Sequence, residues 1–453
     1  MDINSIFRGF IGILVLVGIA FLLSNNKKKI NWKLVFTGLG LQFVFAVFIL
    51  RSEELRSFFI PFGWPKDFFT WISGFFVIIL NFTTEGATFV FGDLAKPPGA
   101  DGSLGFFFAF QVLPTIIFFA SLMSILYYLG FMQTVVKAMA WVMAKFLGTS
   151  GAESLSTSAN IFVGQTEAPL MIRPYLKDMT KSEILTIMVG GMATIAGGVM
   201  AAYIQILGTA YAIKHGIPLI EAQQIFATQL LGASVMAAPA AIVISKIIFP
   251  ETGEPVTKGT VKIDVEKNAE NVIEAAANGA SEGLKLALNV GAMLLVFIAL
   301  IAMFNYGLNF IGDLFNWNDS LLAIYGEPLS FQLVLGWTFQ FVAFGIGVPW
   351  EDALSFGSLF GTKIVVNEFV AYLDMGTLIE AGKILNEKTI VMLTYALCGF
   401  ANFSSIGIQI GGLGPLAPSR KSDIASLGIK AVIGGAMATL MTATLAGLLY
   451  IRN

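Results

Sequence analysis

Long apolar runs separated by short polar joints dominate the chain. The first, about residues 5 to 23, carries Arg8 and ends on Lys27, Lys28 and Lys29 rather than on a small-residue cleavage site. It therefore reads as an uncleaved helix and not as a signal peptide. A bilayer core about 30 Å thick needs roughly 20 apolar residues per crossing helix. Comparable runs fall at about 33–51, 104–129, 183–209, 222–246, 284–311, 388–411 and 424–450. The pattern predicts an all-α polytopic membrane protein with eight transmembrane helices. Short cytoplasmic loops collect Lys and Arg. The lysine cluster after the first run, and Arg420 and Lys421 between the last two, put those joints inside and both termini outside.

Five stretches break this rhythm. Residues 52 to 103 mix aromatics (Phe58, Phe59, Phe68, Phe69, Phe75, Phe76) with Pro, Gly and acids, which suits a helix lying at the interface. Residues 131–147 form a Lys-bearing amphipathic stretch, and 250–282, with Lys258, Lys262 and Lys267, form a polar cytoplasmic loop. Residues 151–182 are apolar only in part, cut by Asn160, Gln165, Thr166, Glu167 and Pro169 and closed by Arg173, Pro174, Lys177 and Lys181. They read as a re-entrant hairpin open to the cytoplasm. Thr180-Lys181-Ser182-Glu183 has the spacing of a capping box that starts the next span. A second hairpin, entered from outside, pairs 328–347 with 353–373 through Gly347-Val348-Pro349-Trp350, its second limb holding Lys363, Asn367 and Glu368.

The two hairpins echo one another. Each bears a carboxylate, Glu167 or Glu368, and each is followed about 30 residues later by an interrupted span: Gly190 to Gly198 in one case, Cys398 to Ser405 in the other. Entry from opposite faces makes the repeat inverted, and paired interrupted segments point to a transporter's midplane site. The chain accordingly divides into N-terminal scaffold and interfacial helices (1–103), the third span with an amphipathic helix (104–150), a first repeat (151–249), the cytoplasmic loop (250–282), a scaffold sixth span (283–327) and a second repeat (328–453).

Composition narrows the class. Of 453 residues, 56% are hydrophobic and 12% charged, against about 25% charged in soluble chains; the mean hydropathy is +0.79. A net charge of −2 supplies no field to attract nucleic acid. The single Cys398 cannot form an internal disulfide and reads as a packed side chain, and the single His215, in Lys214-His215-Gly216, reads as a loop residue. One histidine excludes His-rich metal sites and speaks against a Ser-His-Asp triad. No Gly-x-x-x-x-Gly-Lys-Ser/Thr loop supports primary active transport, and no Asp-rich or Gly-x-Gly-Asp motif supports a membrane enzyme. Hydropathy alone leaves a passive channel open.

Ionisable groups at membrane depth are functional candidates by default, which singles out Glu167 and Glu368. A structural ion pair, such as Glu368 with Lys363, or a hydrogen bond satisfying a broken helix is the alternative. Gln165, Thr166, Glu167, Glu368, Asn402 and Ser405 offer amides, hydroxyls and carboxylates without a cation, a set suited to a neutral ligand rich in O–H and N–H groups rather than to an anion. Asn160 and Thr194 are candidate oxygen donors to a small cation such as sodium, or else helix-packing hydrogen bonds.

Several segments resemble the concentrative nucleoside transporters. They are Asn160-Ile161-Phe162-Val163-Gly164-Gln165-Thr166-Glu167-Ala168-Pro169-Leu170 with Ile172-Arg173-Pro174, Ala193-Thr194-Ile195-Ala196-Gly197, Leu286 to Met293, Gly347-Val348-Pro349-Trp350, Asn367 to Tyr372, and Ala396 to Asn402. The resemblance runs in order from about residue 5 to 450. It implies a homotrimeric symporter, each subunit having a scaffold part and a moving part, in the inner membrane with periplasmic termini. The substrate would be a nucleoside such as uridine, cytidine or adenosine, coupled to sodium without an organic cofactor. It implies that Gln165, Thr166 and Glu167 hold the nucleobase beside Leu286 and Val199. Glu368, Asn402 and Ser405 would bind ribose hydroxyls beside Phe400, and Asn160 and Thr194 with the carbonyls of Val163 and Ile195 would bind sodium. Thr194 stands where some members have Ser, which keeps the hydroxyl. Proton-coupled relatives depart from the Gln-Thr-Glu-Ala-Pro pattern, which is intact here and so favours sodium. The preference for purine or pyrimidine is not legible, because small changes of pocket shape decide it.

Overall fold

The computed structural model describes residues 3–56, 63–98, 100–259 and 269–450. Among these there is no strand, only an isolated bridge between Ser150 and Lys258. The helices are α1 (Ile3–Leu22), α2 (Trp32–Leu50), α3 (Ser52–Arg56), α4 (Trp64–Phe91), α5 (Phe108–Gln111), α6 (Leu113–Tyr128), α7 (Phe131–Leu147), α8 (Gly151–Ala159), α9 (Lys181–Ala193) and α10 (Gly197–His215). There follow α11 (Leu219–Ile248), α12 (Val272–Leu314), α13 (Asn318–Tyr325), α14 (Phe331–Gly345), α15 (Trp350–Val365), α16 (Glu368–Glu380), α17 (Glu387–Leu397), α18 (Phe403–Leu416) and α19 (Lys421–Leu449).

Helices α9, α10, α11 and α19 form the buried centre, whereas α2, α4, α6 and α12 expose most of their apolar surface. α12 packs along α6, and α2 and α4 both lie against α11. The inner helices are rich in Ala, Gly, Ser and Thr, small residues that let backbones approach where lipid provides no hydrophobic drive between helices. Gly232, for example, faces Ile49, and Gly434 faces Val189.

Four expectations need correction. The aromatic segment read as interfacial is one 28-residue helix, α4; residues 67–95 are long and apolar enough to cross a bilayer. Its polar residues sit mostly at the ends, with Pro65 in the first turn where a missing N–H is harmless. Phe58 and Phe59 lie outside the described residues. The polar loop is shorter than expected, because α12 begins at Val272, where the Asn271 side chain accepts from the Glu274 amide and caps the helix; Lys262 and Lys267 lie outside the described residues. His215 is no loop residue but closes α10, one residue before the left-handed Gly216, and pairs with Glu387 at 3.3 Å.

The fourth correction concerns the hairpins. In the first, α8 is followed by a turn and then by two short 3-10 segments, Ala168–Ile172 and Leu176–Asp178, in place of a returning α-helix. Pro169 and Pro174 remove amide donors there. In the second, α14 and α15 pack closely across the Gly347–Pro349 joint, with Gly357 and Gly361 meeting residues 335–340. The second limb stops at Val365, however, so that the hairpin carrying Glu368 at its tip is α15 with α16, and the Gly347–Pro349 joint lies at its base: Asn367 is extended, caps α16 through the Val370 amide at 2.9 Å, and leaves Glu368 in the first turn of a new helix. Glu368, like Glu167, therefore sits at a turn.

Candidate functional site

Both interrupted spans are broken helices. Between α9 and α10, Thr194 and Ala196 are extended; between α17 and α18, Cys398 and Asn402 are extended and Gly399 has φ +131°. The two breaks touch through backbone. A Cβ on Gly399 would lie 2.7 Å from the Met192 carbonyl oxygen and 2.8 Å from the Ala193 carbonyl carbon. Each break leaves helix-end amides and carbonyls without intrahelical partners, and the tips of the two hairpins fill the space beside them.

The first tip is held at its neck by the Gly197 amide donating to the Phe162 carbonyl at 3.0 Å. Beyond it, Gln165 is buried, and its Nε2 donates to Ser405 Oγ at 3.1 Å. Thr166 packs against Gly412 so closely that a Cβ there would sit 2.6 Å from the threonine methyl. Glu167 is exposed and accepts from the Gly164 amide at 3.2 Å.

At the second tip the Glu368 carboxylate is buried between two neutral donors. Tyr203 Oη–H donates to Oε1 at 3.0 Å and Asn402 Nδ2 donates to Oε2 at 2.9 Å. The Asn402 amide is oriented by the Ser405 N–H and the Ser404 hydroxyl, which both donate to its Oδ1 at 2.9 and 2.7 Å. Lys363 does not pair with Glu368: its Nζ donates instead to the Ala396 carbonyl at 2.8 Å, at the broken C-terminus of α17, and to Thr439 Oγ1 at 3.0 Å. A donor there satisfies an orphaned carbonyl of the half-helix end and leaves the Glu368 carboxylate to Tyr203 and Asn402. The ion-pair alternative is thus not realised.

Asn160 caps the end of α8 with no solvent exposure, and neither its Oδ1 nor its Nδ2 has a hydrogen-bond partner. Leaving a buried polar group unsatisfied costs about 1–3 kcal/mol. Ser156 Oγ, one turn earlier, is equally without a partner. Thr194 donates its hydroxyl proton to the Gly190 carbonyl at 2.9 Å, so its oxygen lone pairs remain available. Val163 and Ile195 are buried in the two segments that the Phe162–Gly197 bond joins. Hard oxygens and an orphaned amide fit a small monovalent cation. The described residues contain no cluster of three His, Cys, Asp or Glu.

Gln165, Glu368, Asn402 and Ser405 are thus linked through one another or through shared neighbours. Val199, in the first turn of α10, is buried, and Phe400 lies within the second break. Leu286 is 38% exposed on α12, a helix that packs on α6 and touches α16; the hydrogen-bonded cluster does not extend to it. Two members went unread in the sequence. Gln409 donates to Gln165 Oε1 at 3.0 Å, and its spacing of four from Ser405 on one helix face was the available signal. Tyr203, inside an apolar run, gave none.

The hairpin bases are clamped in parallel fashion. In the first turn of α8, buried Glu153 completes a capping box with Ser150 and meets Lys246 at 2.7 Å. In the first turn of α15, buried Asp352 accepts from the amides of Leu385 and Asn386 and from Thr389 Oγ1 at 2.9, 3.0 and 2.7 Å.

Comparison with known proteins identifies the family. Family models described as Na+ dependent nucleoside transporter N-terminus, Nucleoside recognition and Na+ dependent nucleoside transporter C-terminus match residues 11–94, 109–210 and 229–447. An uncharacterized transporter of Haemophilus influenzae is 46% identical over 447 residues, covering 98% of both chains. Sodium/nucleoside cotransporter 1 of Mus musculus is 41% identical over 98% of this chain, which spans 63% of the mouse protein. The solved structure of CNTnw in an inward-facing substrate-bound state superposes with a TM-score of 0.83 at 39% identity, covering 98% of each chain. A doubly substituted CNTnw in an outward-facing state gives 0.85, also at 39% identity and 98% of each chain. This chain belongs to the Na+-dependent, concentrative family of nucleoside transporters, which are carriers and not enzymes.

Proposed function

We propose that the protein is a sodium-coupled symporter that imports nucleosides across the cytoplasmic membrane by alternating access. The observation that carries this reading is the Gln165–Ser405 bond, which sets the amide end of the first hairpin against the helix that also orients Asn402 on Glu368. A ligand with an amide-like base at one end and vicinal hydroxyls at the other matches such a site. Gln165, Thr166 and Glu167 then hold the base and Glu368, Asn402 and Ser405 the ribose, with Val199, Leu286 and Phe400 as apolar walls.

Sodium at Asn160, Thr194 and the carbonyls of Val163 and Ile195 would bridge the neck of the first hairpin and the first break. Ordering those segments orients Gln165, so that ion and nucleoside favour each other's binding. Residues 151–249 and 328–453 form the moving part, carried across a scaffold of residues 1–150 and 283–327 in a homotrimer. A proton-coupled symporter of the same fold is the second reading; the orphaned Asn160 amide, which does not titrate, favours sodium.

The test is uptake of labelled uridine, cytidine and adenosine into liposomes holding the purified protein. The expectation is accumulation driven by an inward sodium gradient, absent with potassium, and lost in Glu368→Gln. Equal uptake driven by a proton gradient would overturn the coupling, and no uptake of any nucleoside would overturn the substrate class.

A further inference from the structure

Gln409 is buried on α18 and has no place in the roles assigned above. Its Nε2 donates to the Met188 carbonyl at 2.9 Å and to Gln165 Oε1 at 3.0 Å. A backbone carbonyl only accepts, so the atom of Gln409 that faces Met188 must be the amide nitrogen. Both of its protons are then committed. The Gln165 atom facing Gln409 must be an acceptor, which makes it Oε1 and turns Gln165 Nε2 toward Ser405. The arrangement of side chains thus resolves an orientation that amide shape alone leaves open. Gly191 makes it possible, since a Cβ there would meet Gln165 Cβ at 2.8 Å and Gln409 Nε2 at 3.2 Å.

One Nε2 proton of Gln165 goes to Ser405 and the other is uncommitted. Resting on the reading that Gln165 meets the base, we propose that Gln409 is a positioning residue that fixes the Gln165 amide as a donor, so that the carrier selects nucleosides presenting a hydrogen-bond acceptor on the base edge facing Gln165. Gln409 itself touches no substrate. Its contribution is an orientation: with the backbone carbonyl of Met188 as reference, the α18 side chain passes a donor–acceptor sense across to the first hairpin.

The test uses the full-length protein in liposomes, with uptake driven by an inward sodium gradient. Inhibition constants are measured for the nucleoside taken up best and for analogues in which single base acceptors become C–H, as in 3-deazacytidine for a pyrimidine or the 1-, 3- and 7-deaza analogues for adenosine. In the wild type one such replacement weakens binding about tenfold, the usual size of a net hydrogen bond. In Gln409→Leu, where the amide is free to turn, that ratio falls toward one. The 2′-deoxy discrimination and the sodium half-saturation at saturating nucleoside stay unchanged. Gln409→Glu keeps the shape but supplies at most one proton, so the Gln165 amide turns to donate to it and the preference shifts toward base donors. An unchanged acceptor ratio in both variants, or equal loss of base and ribose discrimination, would overturn the proposal. Loss of folded protein in Gln409→Leu leaves Gln409→Glu to decide. Absence of uptake by the wild type would instead sink the nucleoside reading on which it rests.

Discussion

A carboxylate placed among apolar helices must find donors, and Glu368 finds one for each oxygen, Tyr203 and Asn402. Removing the first should be felt in binding and in stability together. In Tyr203→Phe a buried carboxyl oxygen is left without its donor, which costs about 1–3 kcal/mol. The expected outcome is a lower thermal midpoint and a nucleoside KM raised about tenfold or more, with sodium half-saturation at saturating nucleoside unaltered because Asn160 and Thr194 lie on other segments. An unchanged KM in liposome uptake would show that Tyr203 does not orient the carboxylate. At this scale the sequence was legible where polarity conflicts with surroundings. Asn160, Glu167 and Glu368 interrupt apolar runs and stand out as expensive. Tyr203 does not, because a tyrosine in an apolar run looks the same whether its hydroxyl is committed or not. Gln165 and Gln409, 244 positions apart, become partners only in the fold.

Broken helices are the elements on which the site depends, and Gly399 is where they meet. A methyl at this position would press on the carbonyl oxygen of Met192 and the carbonyl carbon of Ala193, neither of which can turn aside, and would also make φ +131° unfavourable. Gly399→Ala is therefore expected to destabilise by about 2–3 kcal/mol from overpacking and backbone strain together, and to abolish uptake by parting the two breaks. Thermal unfolding and transport of the purified variant check both; wild-type uptake would show that the breaks tolerate separation. The interruptions themselves were legible in glycine and hydroxyl content. Their exact placement was not: the second hairpin's decisive turn falls at Asn367, whose capping of α16 outweighs the apolar continuity that made 353–373 read as one limb. Nor was the 3-10 return of the first hairpin foreseen, although Pro169 and Pro174 carry its cause.

At the scale of the molecule, burial is uneven. α11 and α19 are enclosed, while the 43-residue α12 is largely bare, with Leu288, Leu295, Met303 and Phe310 all more than 60% exposed. Such a surface is covered by lipid or by another subunit, and the proposed homotrimer places part of it at the interface. Light scattering of the detergent-purified protein should give about three times the 48.7 kDa chain mass after correction for detergent; a monomeric mass would remove the trimer from the proposal. The sequence by itself determined that this is a polytopic all-helical membrane protein with paired interruptions and a short set of polar candidates, because a bilayer forces apolar length and internal hydrogen bonding on every span. It also carried the motifs of the nucleoside carriers in order. Only the tertiary structure decided that α4 is long enough to cross, that Lys363 serves a half-helix end and not Glu368, and that Gln409 sets the sense of Gln165. Those outcomes depend on which donors and acceptors are brought within 3 Å of one another by helices far apart in the chain, and local pattern contains no record of that.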